Sequence, residues 1–362
     1  MTDLNFSGGP GALPESVLAE AQRALKRVPE AGLSLLGISH RSDWFAAVLA
    51  EAEANIRQLL NLPDDYHVLF LQGGATLQFS MIPMLLLRHR QRTAEYLRTG
   101  YWSSKAIPEA RREGSVNVLW DGSSGGFRRM PRDEELDCSQ EAAYLHYVSN
   151  ETVEGLQFHR VVGRDDVPRI CDMSSDFLSA PCAAERFALI YAHAQKNLGP
   201  AGVTLVIVRK QLLDEAPDDL HGVLDYRNHV SAHSVYNTPP VFAIYVVLLV
   251  TRWLLHEIGG LDRMAQINRA KAERLYAAID GSDGYYLGRA EAQDRSLMNV
   301  VFNLRSAALE AQFLEQAANA GFHGLPGHRS LGGVRASIYN ALTPAAIDAL
   351  CEFMEDFRRR QR

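Results

Sequence analysis

Apolar and polar positions along the chain change period in a regular order. A 3.6-residue period runs over 14–28 and again over 43–60, which predicts two amphipathic helices, the second with Asp43 as its cap. Residues 66–71 then read as a buried strand, Gly73-Gly74-Ala75-Thr76 as a tight turn, and the stretch through Leu87 as a helix. Further strands are expected at 94–97, 115–120, 143–148, 169–171, 187–191 and 203–208. This alternation implies a mostly parallel sheet flanked by helices. Near His256 the texture changes, and helical patterns over 256–280, 306–321 and 343–359 alternate with strand candidates at 297–304 and 333–337. The expected fold class is therefore α/β, with an N-terminal arm (1–14), a large domain (15–255) and a smaller α+β C-terminal domain (256–362).

Composition narrows the function classes. Lys+Arg 37 against Asp+Glu 43 gives a formal charge of -6, which argues against an electrostatic nucleic-acid binder. The basic run Arg358-Arg359-Arg360 with Arg362 reads as the solvated end of a last helix. Four cysteines, Cys138, Cys171, Cys182 and Cys351, have no paired metal spacing and suit free thiols in a reducing compartment. The start of the chain has no basic stretch followed by an apolar one, so no secretory signal is expected and a cytoplasmic location is. The most apolar run, 241–250, is too short for a bilayer core of roughly 30 Å and reads as a buried helix, so no membrane partner is expected.

Candidate chemistry concentrates in His193-Ala194-Gln195-Lys196-Asn197-Leu198-Gly199-Pro200-Ala201-Gly202-Val203. Lys196 stands on a short polar connection between two apolar strands, a poor place for a solvated face and a good one for condensing with an aldehyde. The candidate aldehyde is pyridoxal phosphate. It needs backbone N–H groups for its phosphate, a carboxylate for its ring nitrogen, an aromatic platform and a lysine of lowered pKa. Gly74-Ala75-Thr76 offers a strand-to-helix turn, Trp102 a platform, and Asp172 a carboxylate at the C-terminal end of a strand. Taken singly, these read as an ordinary turn, a core tryptophan and a helix cap. Together and in order they are far more specific.

These residues belong to a longer series of blocks. They include Asn5-Phe6-Ser7-Gly8-Gly9-Pro10, Ser39-His40-Arg41-Ser42, residues 73–79, Tyr101-Trp102-Ser103 and 150–155. Asp172-Met173-Ser174-Ser175, residues 194–202, Tyr236-Asn237-Thr238-Pro239-Pro240, Gly327-His328-Arg329 and 333–341 complete it. Over nearly its whole length the chain resembles the phosphoserine aminotransferase family, in the class V group of fold-type I pyridoxal-phosphate enzymes. The resemblance implies a seven-stranded, mostly parallel sheet in the large domain. It makes Lys196 the Schiff-base lysine and proton shuttle, Asp172 the partner of the ring nitrogen, Trp102 the platform and Thr152 the hydroxyl facing the ring's phenolic oxygen. Ala75, Thr76 and Gln195 become phosphate ligands, joined by Asn237 and Thr238 from a neighbouring subunit, so that a homodimer shares its active sites.

On the substrate side, Arg335 resembles the α-carboxylate clamp, with His40, Arg41, His328 and Arg329 as the set for the distal anion. The implied reaction exchanges the amino group between O-phospho-L-serine and 2-oxoglutarate, giving 3-phosphohydroxypyruvate and L-glutamate, in serine biosynthesis. The same chemistry on 4-phosphohydroxy-L-threonine would serve pyridoxal phosphate (pyridoxine) biosynthesis. The alternative is another class V aminotransferase, of the alanine/serine–glyoxylate type. A cysteine desulfurase fits poorly, because Cys171 adjoins a buried strand and Cys351 lies in a helical pattern. A carboxylate at Glu151, beside Thr152, is unfavourable near an anion pocket unless it is paired or points away. No metal site is expected: His229 and His233 are four apart, but no Glu stands between them.

Overall fold

In the computed structural model, which describes residues 4–214 and 216–361, the alternating stretches assemble a seven-stranded sheet. The first three residues of the expected arm and Arg362 of the basic tail lie outside the described residues. The strands are β1 (Tyr66–Leu71), β2 (Thr93–Arg98), β3 (Ser115–Asp121), β4 (Leu145–Val148), β5 (Arg169–Asp172), β6 (Leu189–His193) and β7 (Thr204–Arg209). Their order is β1-β7-β6-β5-β4-β2-β3. Six share one direction, and β7 runs antiparallel to both its neighbours. All residues of β4 and β5 are buried, as expected for a sheet covered on both faces. Every residue expected to carry chemistry between 172 and 196 therefore leaves the sheet from β5 or β6.

Helices α1 (Glu15–Lys26), α2 (Asp43–Leu60), α3 (Gly74–Leu86), α4 (Tyr101–Ala110) and α5 (Val241–Arg252) accompany this sheet. The cap of α2 is Ser42 rather than Asp43, since the Ser42 hydroxyl accepts from the Phe45 N–H and Asp43 is the first helical residue. The apolar run at 241–250 extends further than expected. α5 continues through one π-helical turn, Trp253–Ile258, making an 18-residue apolar stretch long enough by length and composition to cross a membrane. Ala243 through Thr251 are all buried, and Thr251 accepts a hydrogen bond from Asn55 of α2, so it is packed as a core helix.

The helix expected over 256–280 starts only at Leu261, because Gly259 and Gly260 adopt φ of 87° and 101° and break it. That helix, α6 (Leu261–Asp280), begins in the core of the large sheet at Leu261 and Met264 and ends in a second core from Ala272 onward. The second core closes over an antiparallel sheet, β8 (Tyr286–Gly288), β9 (Asn299–Leu304) and β10 (Val334–Ser337), with α7 (Ala307–Asn319) and α8 (Pro344–Arg360). The arm is stitched to it: Leu4–Asn5 pairs with Phe322–His323, and Phe6 is fully buried.

Candidate active site

Lys196 sits on the loop between β6 and β7, where Leu198 and Gly199 N–H groups both bond the Ala194 carbonyl. The loop aims the side chain back over the ends of the strands. The Lys196 Nζ donates to Thr152 Oγ1 at 2.8 Å and lies 5.7 Å from the centre of the Trp102 ring. Burial pushes the amine down to about 8, Asp172 opposes this and Arg335 adds to it. Among the described residues no carboxylate lies within ion-pair distance of it. Asp172 is the last residue of β5, and its Oδ1 accepts from the Ser174 N–H at 2.9 Å. Burial raises this carboxyl, while Ser174, Lys196 and Tyr191 favour its ionised form.

Arg335, on β10, closes the other side. Its Nε is buried without a partner, and desolvation lowers its pKa. His328 joins it: its ring centre is 4.7 Å from that of Tyr101, and burial, Arg335 and Arg329 hold it below the usual histidine value. Ala75 and Thr76 occupy the first turn of α3, after Gly73 (φ 88°) and Gly74 (φ 72°). Asn237 and Thr238 are exposed and reach the same turn of their own chain, where Asn237 Nδ2 donates to Gln72 Oε1 and the Thr238 carbonyl accepts from Gln72 Nε2. His40 and Arg41 do not join the Lys196 group within one chain. They line a separate cavity of about 660 Å³ with His67–Phe70 of β1 and His233–Val235.

Residues 4–350 match the family described as Aminotransferase class-V. The chain is 50% identical over 354 residues to a phosphoserine aminotransferase of Rhodopirellula baltica, covering 98% of this chain and 94% of that one. The solved phosphoserine aminotransferase of Bacillus circulans subsp. alkalophilus superposes with a TM-score of 0.96 at 46% identity, over 99% of this chain and 98% of that one. The pyridoxal-phosphate-bound phosphoserine aminotransferase of Trichomonas vaginalis gives 0.91 at 36%, over 98% and 99%. The chain belongs to the phosphoserine aminotransferases, within class V. For an aminotransferase of this family the donor set fits the aldehyde cofactor expected from the sequence. It combines a buried amine tied to a hydroxyl, an indole face, a carboxylate at a strand end and a half-buried guanidinium with an unpartnered nitrogen.

The sequence reading missed part of this aminotransferase's site. Residues 8–11 of the arm reach it: a Cβ on Gly8 would collide with the Arg335 guanidinium, and one on Gly11 would lie 2.8 Å from the Tyr339 ring and 3.0 Å from the Lys196 carbonyl. Tyr339 donates to the Gly8 carbonyl and receives a hydrogen bond from Asn299, and Asn197 Oδ1 accepts from the Asn340 N–H. The available signal was the glycine run itself, which suits a turn as well as a close approach. Glu151 is paired, with the first turn of α4. His229 bonds the Val223 carbonyl, and His233 lies beyond the end of its short helix, Tyr226–Ser231. Cys171 and Cys351 are buried, with thiols pushed upward by desolvation, which disfavours a desulfurase.

Proposed function

We propose that this aminotransferase uses pyridoxal phosphate to exchange the amino group between O-phospho-L-serine and 2-oxoglutarate, giving 3-phosphohydroxypyruvate and L-glutamate. The observation that carries the reading is the buried Lys196 amine, held at Thr152 beside Trp102, facing Arg335, whose Nε has no partner among the described residues. Asp172 would hold the ring nitrogen, Trp102 the ring face, Thr152 the phenolic oxygen, and the N–H groups of Ala75 and Thr76 with Gln195 the phosphate. When bound, the cofactor supplies an electron-accepting ring that stabilises charge at the substrate α-carbon. Lys196 Nζ, neutral in part near pH 8, is placed to take the substrate's α-proton and would hold it for return. Arg335 grips the α-carboxylate and orients the bond to be broken. The arm and Tyr339 cover this end of the site and exclude water.

The distal anion falls to His328 and Arg329. His328 is held below the usual histidine range, so near neutral pH it contributes a hydrogen bond and Arg329 the charge. His40 and Arg41, stranded within one chain, complete this set in a homodimer, with Asn237 and Thr238 reaching the partner's cofactor phosphate. Leu36 and Tyr236, exposed at 72% and 47%, lie in the same two segments and give such an assembly apolar surface to cover. The lobes 15–255 and 256–362, with the arm 1–14, form the two walls of the site in this reading. A cytoplasmic role in serine synthesis, and action on 4-phosphohydroxy-L-threonine, belong to the same proposal.

The deciding experiment compares kcat/KM for phosphoserine, serine and alanine in wild type, Arg329→Leu and Arg41→Leu. Loss of a charge-assisted pair to phosphate should cost phosphoserine roughly a hundredfold. Serine and alanine, which lack the distal anion, should change little. Equal losses on all three substrates would remove the phosphate-pocket assignment of these residues and leave a class V aminotransferase whose substrate they do not select.

A further inference from the structure

The turn that carries Thr152 also carries two buried carboxyl groups that the reaction does not use. Glu151 is fully buried and Glu154 nearly so. Both point at the first turn of α4. Glu151 Oε2 accepts from the Trp102 N–H at 3.0 Å, and its Oε1 accepts from the Ser103 N–H at 3.0 Å and the Thr99 hydroxyl at 3.2 Å. Glu154 Oε1 accepts from the Tyr101 N–H at 3.0 Å. Three helix N–H groups, normally left without intrahelical partners, thus end on two side chains about fifty residues away in sequence. The fit leaves no room at Gly100: a Cβ there would lie 2.5 Å from Glu154 Oε2 and 2.7 Å from Glu151 Cδ. Glu154 Oε2 is itself buried without a hydrogen-bond partner among the described residues.

Two adjacent carboxylates in so dry a place cannot both be charged. Burial raises both carboxyls, but Glu151 has three donors and keeps the charge, while Glu154 has one and takes the proton. Burial and the neighbouring Glu151 push Glu154 up to about 8. The other groups facing the pair are Arg289, Arg335 and Lys196, with His328 and Lys105 against the Tyr101 ring. We propose that Glu151, as a carboxylate, and Glu154, as a carboxylic acid, are positioning residues that lock the first turn of α4 onto the Thr152 turn and so fix the Trp102 indole relative to Lys196. Its consequence for the cofactor rests on the reading of Trp102 as the ring platform.

Glu154 has a folded-state pKa far above its unfolded value of about 4.3, so opening the turn releases a proton between those limits. The lock is complete at low pH and weakens as pH rises toward about 8. The test is hydrogen exchange of the amides of Tyr101, Trp102 and Ser103 in the full-length holoenzyme between pH 6 and 8, with the cofactor dissociation constant measured by tryptophan fluorescence. Wild-type protection, corrected for intrinsic exchange, should fall by up to about tenfold per pH unit, the slope of one proton. Glu154→Gln copies the protonated acid, so protection should stay high and lose its slope, with affinity within about twofold of wild type at pH 7. Glu151→Gln turns an amide N–H toward a backbone N–H, so protection should drop at every pH and the dissociation constant should rise about tenfold or more. Wild-type protection and affinity in Glu151→Gln would overturn the proposal, as would an unchanged slope in Glu154→Gln, which decides the matter even where Glu151→Gln fails to fold. A chain that bound no pyridoxal phosphate would undo the functional reading, while the exchange profile would still judge the lock.

Discussion

At Lys196 three influences meet on one atom. Burial lowers the amine to about 8, Asp172 pulls it up and Arg335 pushes it down, leaving part of it neutral near physiological pH without forfeiting the proton it must return. Lys196→Ala should abolish transamination while circular dichroism and the unfolding midpoint stay near wild type, because the side chain makes one hydrogen bond and no ion pair among the described residues. Asp172→Asn should keep the shape and lose the charge. Cofactor affinity should then change little, while the single-turnover rate falls by about a thousandfold or more. A rate within a few-fold of wild type would remove Asp172 from the ring nitrogen. Lys196, Asp172 and Trp102 were legible in the sequence because each is a chemical type demanded at one kind of place. Gly8, Tyr339 and Glu154 were not, because nothing local to them distinguishes an active-site contact from a turn, a core ring or a surface acid.

Among the elements, β1 to β7, α1 and α2 follow the sequence pattern closely, because buried strands and amphipathic helices write their period into neighbouring residues. α4 does not, since three N–H groups of its first turn end on Glu151 and Glu154, and its local cap, the Ser103 Oγ that accepts from the Thr99 and Gly100 N–H groups, lies inside the helix. The segment after β10 follows the same logic. Lys271 of α6 is buried, and its Nζ donates to the carbonyls of Ile338, Tyr339 and Leu342 at 3.0, 2.8 and 2.9 Å. It thereby holds the stretch that presents Tyr339 to Gly8 and Asn340 to Asn197. Lys271→Met should leave these acceptors unpaired, at about 1–3 kcal/mol each, and lower the unfolding midpoint clearly. It should also raise KM for phosphoserine, because Arg335 lies on the strand leading into this segment. An unchanged midpoint would mean that water or a backbone shift replaces the ammonium.

For the whole molecule, the decisive question is whether His40, Arg41, Asn237 and Thr238 serve the chain they belong to. They gather near the β1 edge, Asn237 and Thr238 at Gln72 and the other two in the cavity beside His67–Phe70. Mixing Lys196→Ala chains with Asn237→Ala/Thr238→Ala chains should restore part of the activity, about a quarter of wild type for random pairing in equal amounts if each mixed dimer regains one intact site. No gain over the separate mutants would place the pair in its own chain's site. By itself, the sequence determined the α/β alternation, the lysine between two strands, the aspartate at a strand end and the arginines suited to anions, because period and residue chemistry are local properties. Only the tertiary structure decided that the arm closes on Arg335, that Glu151 and Glu154 cap α4, and that His40 and Arg41 stand apart from Lys196. Those contacts join residues tens to hundreds of positions apart, and packing alone selects among the pairings that residue chemistry permits.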